Sequence, residues 1–297
     1  MLLALLASGT TAAAGPRAAC PPARGTIGYT AGTHEHALAL RSCTDRVTGQ
    51  ARESPKKVPG IRAVGRGSGV VRLYVHGRLV FSHWETGPLV PLLVSGDGRW
   101  VFFFVDEYGS ASGIADGTTL YVVSTQGGAV HDLGKMLPDR DYLTWCGGEL
   151  VYTPGTDRVT IDAKRLMTAA PPDWVPRTLW NDPARTFGSP ACEPRHDAVA
   201  VLSQHTSKVA NFFATRWRLW RVALSGSRRV LDIPPAGFAD EQPTWSPDGR
   251  SIAFVRERNG YGRIMVRADG HLFGPLAELP YSLGYSGHHD WGLVWRP

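Results

Sequence analysis

Residues 243–267, PTWSPDGRSIAFVRERNGYGRIMVR, read as three short strands joined by tight turns. Thr244 and Trp245 end an extended run. Ser246–Pro247–Asp248–Gly249 is turn chemistry: Pro pre-sets φ, Asp bonds nearby backbone, and Gly accepts φ > 0 at no steric cost. Ser251–Val255 is then a short apolar run without helical period, the signature of a strand covered on both faces. Asn259–Gly260 is a hairpin signal. Arg263–Val266 is the third strand, and Ala268–Asp269–Gly270 turns into a fourth, near Leu272–Leu279.

Weaker copies recur. Pro190–Val201 aligns on Pro243 onward without a gap, followed by Leu219–Val222 and Arg229–Leu231. Ser95–Arg99 with Trp100–Val105 is another copy, and Leu143–Cys146 with Leu150–Tyr152 a shortened one. The spacing, roughly 45–50 residues, is that of four-stranded propeller blades and too long for leucine-rich or ankyrin repeats. At the C-terminal end Leu293–Pro297 matches only the first strand of the unit, and near the N-terminus Thr26–Thr30 looks like a second strand lacking its first. The two halves are expected to pair and shut a ring of sheets, which removes two open edges. A degenerate blade is expected over Ile61–His83, and loops over Gly109–Gly117, Pro171–Pro190 and Ser203–Arg216.

The pattern Trp245-Ser-Pro-Asp-Gly-Arg-x-Ile-Ala-Phe254 resembles the TolB-type six-bladed β-propeller family. The likeness is close over Gly237–Leu279, fair in two further blades and faint before Gly87. It implies an all-β fold of four-stranded antiparallel blades in an extracytoplasmic protein, commonly an interaction module. The N-terminal domain of the best-known relatives, and the hydrolase domain of related peptidases, are not read here.

Composition agrees. The apolar, Gly and Pro content of the 297 residues suits a turn-rich globular chain. Residues 1–15 read as the later part of a secretory leader with a small-residue cleavage site near Ala14, and 16–24 as an N-terminal arm before a single domain over 25–297. No later run approaches the ~20 apolar residues of a membrane span. In an exported chain, Cys20, Cys43, Cys146 and Cys192 imply two disulfides. Of three pairings we favour Cys20–Cys43, tying the arm to the third strand of blade one, and Cys146–Cys192, joining inner strands of adjacent blades. Buried free thiols are the alternative. The formal net charge of +6 is mostly Arg scattered among strands, which does not form a nucleic-acid footprint.

Candidate site residues come from the repeat. In propellers the first strand of each blade lines the central channel, so residues just before it ring one mouth, as the resemblance implies. Aligning Trp295 on Trp245 puts Asp290 on Asp240 and Trp291 on Glu241, with His288 and His289 preceding. Asp141 falls at the Glu241 position. Asp141, Asp240, Glu241, His288, His289, Asp290 and Trp291 are therefore the channel-mouth candidates. Carboxylates beside imidazoles suit a basic peptide terminus, acid–base work or a divalent metal; the plainer alternative is that they cap strands and bridge blades. His34–Glu35–His36 lacks the second His of a helical zinc motif and reads as a surface turn. Gly109–Gly113 misses the nucleophile-elbow pattern. Trp145, Trp245 and Trp295 share one repeat position and read as inter-blade packing, whereas Trp174, Trp180 and Trp217 lie in or beside loops, where exposed indoles would mark a protein or carbohydrate surface. The expectation is a monomeric binding module for a cell-envelope protein or peptide, without a cofactor. A metal-assisted propeller enzyme and a sugar-binding propeller are the alternatives.

Overall fold

The computed structural model describes residues 19–51, 58–65, 69–85, 87–105, 117–136, 140–155, 165–205, 217–281 and 291–297. They form six antiparallel sheets and one 3-10 turn. Blade one is β1 (Thr26–Ala31), β2 (His34–Ala39) and β3 (Thr44–Gln50), with the C-terminal β23 (Val294–Arg296) on the free side of β1. Ile27 pairs with Trp295 and Thr26 with Arg296, as the truncated repeats require. Blade two has three strands: β4 (Ile61–Val64), β5 (Gly69–Val75) and β6 (Arg78–Glu85). Blade three is β7 (Leu89–Val94), β8 (Trp100–Val105), β9 (Thr118–Ser124) and β10 (Val130–Met136).

Blade four, β11 (Leu143–Cys146), β12 (Glu149–Tyr152), β13 (Arg165–Ala169) and β14 (Arg177–Asn181), is a full sheet rather than a shortened one. The expected loop over Pro171–Pro190 in fact holds β14 and most of the next inner strand, because its prolines sit at strand ends and at a bulge. Blade five is β15 (Arg185–Cys192), β16 (Ala198–His205), β17 (Arg218–Ala223) and β18 (Arg228–Asp232). Blade six is β19 (Ala239–Trp245), β20 (Ser251–Arg258), β21 (Tyr261–Ala268) and β22 (His271–Leu279). Ser203–His205, expected in a loop, continue β16. The expected leader, and most of the expected loops Gly109–Gly117 and Ser203–Arg216, lie outside the described residues.

Strand alternation explains how the sheets stack. Side chains on a strand point alternately to opposite faces, so a strand covered on both sides must be apolar throughout. In β16, Val199 and Val201 pack on blade four, while Ala200 and Leu202 pack on blade six. In β20, Ile252 and Phe254 meet blade five, and Ala253 and Val255 meet blade one. In β8, Phe102 and Phe104 meet blade four, and Val101, Phe103 and Val105 meet blade two. Five apolar cores result, one each between blades two–three, three–four, four–five, five–six and six–one.

The tryptophans at the shared repeat position tie neighbours together. Trp245 Nε1 donates to the Ala191 carbonyl at 3.1 Å, and Trp295 Nε1 to that of Arg24 at 2.9 Å. Trp145 packs on Phe102. Cys146–Cys192 joins the inner strands of blades four and five, with Cα atoms 5.3 Å apart. Cys20–Cys43 fixes the N-terminal arm, but to the turn between β2 and β3 rather than to the third strand itself.

Candidate functional site

The inner strands of blades three to six, with the segment leading into β23, surround a cavity of about 350 Å³. Leu92, Leu93, Leu143, Leu293 and Val294 give it apolar walls, together with Pro190 and Pro243. The polar groups are Arg140 and Asp141 on the 3-10 turn, Thr144, Ser189 and Gln242.

A repeated backbone device sets this lining. The pairing of β15 with β16 shifts between Gly188 and Ala191, and that of β19 with β20 between Glu241 and Thr244. At each bulge a non-glycine residue takes φ of 47°: Ser189 before Pro190, Gln242 before Pro243. Gly292, at the same repeat position, has φ of 57°. A bulge re-aims a side chain out of the ladder, and bulges concentrate where strands meet ligands. Ser189 Oγ is buried with no hydrogen-bond partner among the described residues. Half-buried Arg140 forms no ion pair among them either. The cavity thus offers a hydroxyl and a guanidinium between apolar walls, a combination suited to a peptide carboxylate beside an apolar side chain.

Of the channel-mouth candidates, Asp141 lines this cavity. His288, His289 and Asp290 lie outside the described residues. Trp291 is buried in the six–one core. Glu241 is buried and does not line the cavity. Asp240 is fully buried between blades five and six, where its Oδ1 accepts from Arg256 Nε at 2.9 Å. Arg256 also pairs with Asp232, and Asp232 Oδ1 accepts from Arg267 at 2.6 Å. Burial pushes the Asp240 carboxyl up, to about 8, against the pull of Arg256. The Arg256 guanidinium is held above its ordinary value: burial opposes its charge, but Asp240 and Asp232 outweigh it. Asp240 therefore takes the plainer role, bridging blades.

His34 and His36 lie on β2, not in a turn; His36 stacks on Tyr29, and its Nδ1 lies 3.0 Å from Asp45 Oδ2. Burial, then the hydrogen bond to Asp45, raises the Tyr29 phenol well above its usual range. Trp174, Trp180 and Trp217, placed in or beside loops by the sequence, are all buried, so they offer no exposed indole for a protein or carbohydrate. Trp174 packs edge-on against Trp100 and Phe102, and Trp180 edge-on against Trp220 and tilted against Phe187. Among the described residues one trio, Cys146, Cys192 and His196, lies close enough to share a metal. Its two sulfurs are joined as a disulfide, which removes the thiolates a metal would need. Sequence reading missed Ser189 and Arg140; a polar residue before Pro, three places ahead of the repeat Trp or its equivalent Cys192, was the available signal for Ser189.

The architecture is that of an all-β protein of six antiparallel sheets, consistent with a β-propeller. A protein of Agrobacterium tumefaciens provisionally assigned as TolB superimposes with a TM-score of 0.50 at 18% identity, over 92% of this chain and 99% of that one. The fold is thus a TolB-like β-propeller. TolB of Acinetobacter baumannii aligns at 12% identity over 86% of this chain and 69% of that one, TM-score 0.45. A puromycin hydrolase aligns at 12% identity and TM-score 0.44, over 86% of this chain; the match spans 44% of the hydrolase. No family model and no curated protein matches the chain. Among the described residues no helix is long and apolar enough to cross a membrane.

Proposed function

We propose that the six sheets act as one six-bladed ring, exported from the cytoplasm, that binds a protein or peptide of the cell envelope at the channel without a cofactor and without chemistry. The observation that carries this reading is the cavity between the inner strands, where the Arg140 guanidinium and the Ser189 hydroxyl, without a partner among the described residues, stand between leucine and proline walls. Such a site holds a carboxylate and an apolar side chain in fixed orientation. Two disulfides support an oxidising compartment. The enzymatic alternative needs Asp240, Glu241, Asp290, His288 and His289 to converge. Asp240 is committed to Arg256, which weighs against it.

The test is a pull-down from envelope extract with wild type and Arg140→Glu, at physiological salt. A band retained by wild type and lost with Arg140→Glu supports the reading. Identical retention, or none, defeats it. Metal analysis of the purified protein addresses the alternative: a stoichiometric divalent ion lost on Glu241→Ala would favour the enzyme.

A further inference from the structure

We infer that blade two docks an extended, acidic segment of a partner protein, at a place distinct from the channel. Five of the six junctions that a ring requires have an apolar core; among the described residues no such core joins blade one to blade two. The second strands of these two blades show why. In β5, Val71, Leu73 and Val75 pack on blade three, while Val70 and Arg72 on the opposite face are exposed. In β1, Ile27 and Tyr29 pack on blade six, while Gly28 and Thr30 turn away. The faces that a closed ring would bring together are therefore mismatched, one polar and one partly apolar.

The blade-two face has the composition of a binding surface. Cross-strand register puts Val64 beside Arg72, Val70 beside Trp84, and Tyr74 beside Arg62 and Leu79. Val64, Val70, Leu79 and Trp84 are all exposed, Trp84 by 62%. The Arg62 guanidinium lies 4.6 Å from the centre of the Tyr74 ring. Neither Arg62 nor Arg72 has a carboxylate partner among the described residues, and the facing side of blade one adds Arg46 and Arg296 against Glu35. Four guanidinium groups against one carboxylate call for an acidic ligand.

The backbone specifies the ligand's shape. The other five blades have four strands; here no described strand pairs with the far side of β6. A strand edge recessed by one position accepts an extended chain through main-chain hydrogen bonds, with alternate side chains read by the adjoining face. Apolar residues of that segment would lie on Leu79 and Trp84, and its carboxylates would meet the arginines.

The test is calorimetric titration of the full chain with two synthetic peptides of about eight residues, Val-Thr-Asp-Thr repeated and its counterpart with Lys for Asp, so that Val and the charge share one strand face. The Asp/Val peptide is expected to bind, more weakly as salt rises. Trp84→Ala and the pair Arg62→Glu/Arg72→Glu should each weaken it by about tenfold or more. Arg140→Ala should leave it unchanged, and amide exchange in β6 should slow on binding. These side chains are exposed, and matching thermal melts verify the variants' folds. Five outcomes overturn the proposal: no binding of the Asp/Val peptide, equal binding of the Lys/Val peptide, unaffected variants, loss with Arg140→Ala, or β6 amides already protected in the free protein, which would give the edge to the chain's own segment. A concentration-dependent dimer abolished by Trp84→Ala would give the face to a second copy instead.

Discussion

Single residues set the turns on which every blade hangs. Ser95 and Ser246 hold the same place: each hydroxyl accepts the N–H five residues on, at 2.9 Å, and faces the Asp two residues on. These hydroxyls, first among several donors, hold the Asp97 and Asp248 carboxyls below their usual range. A carboxyl lowered in the folded state contributes stability that is present above its unfolded pKa and lost as pH falls through the folded one. Ser95→Ala with Ser246→Ala should therefore lower the midpoint of denaturation at neutral pH and flatten its acid limb, read from melts at a series of pH values. Gly98 and Gly249 take φ near 70°; His196 sits at the same place in blade five with φ of 61°. A left-handed residue with a side chain is strained, so His196→Gly should stabilise by about 1 kcal/mol, measured by urea titration. The turn Ser-Pro-Asp-Gly was legible because each residue has a local conformational reason to be there. Ser189 was not, because its importance depends on a bulge and on neighbours from four other sheets.

Elements were legible where both faces are covered. Ser251–Val255 and Trp100–Val105 announced buried strands through their unbroken apolar runs. β14 did not: Arg177–Asn181 is short and largely exposed, and nearby prolines read as loop. Trp180 on that strand was placed in or beside a loop for the same reason. Between elements, the Asp232–Arg256–Asp240 group replaces apolar packing with charge. Arg256→Ala would leave the buried Asp240 carboxyl without its partner, Asp232 keeping Arg267, and should cost about 3–5 kcal/mol. Because the folded pKa of Asp240 is raised, to about 8, its contribution is full below the unfolded value and is lost as pH rises toward 8. Relative to wild type, Asp240→Asn should remove that decline between pH 4 and 8. The Cys146–Cys192 link spans 46 residues, and replacing both by Ser should cost about 2–4 kcal/mol.

At the scale of the molecule, pairing across the chain ends followed from two incomplete repeats, and β23 lies against β1 accordingly. Gly25 shows how tight that join is. A Cβ there would run into the Arg296 carbonyl and lie 3.0 Å from Trp295 Nε1, at a backbone φ of 97°. Gly25→Ala should destabilise by about 2 kcal/mol or more, seen as a lower Tm. The mismatch between blades one and two was also written in the sequence, as alternation in Val70–Val75 and Thr26–Thr30 where other blades have solid apolar runs. Its meaning emerged only once the faces were assigned to neighbours.

The pairing of Ile27 with Trp295 has a kinetic side. Sheet one cannot be completed until the segment after blade six has been synthesised, so the six–one core, with Trp291 and Trp295 in it, assembles after the five blades between β1 and β23. A chain that stays unlatched while it emerges is compatible with passage through a secretion channel in extended form. Under the export proposed above, the final latching would fall on the far side of the membrane, where the thiols are also oxidised.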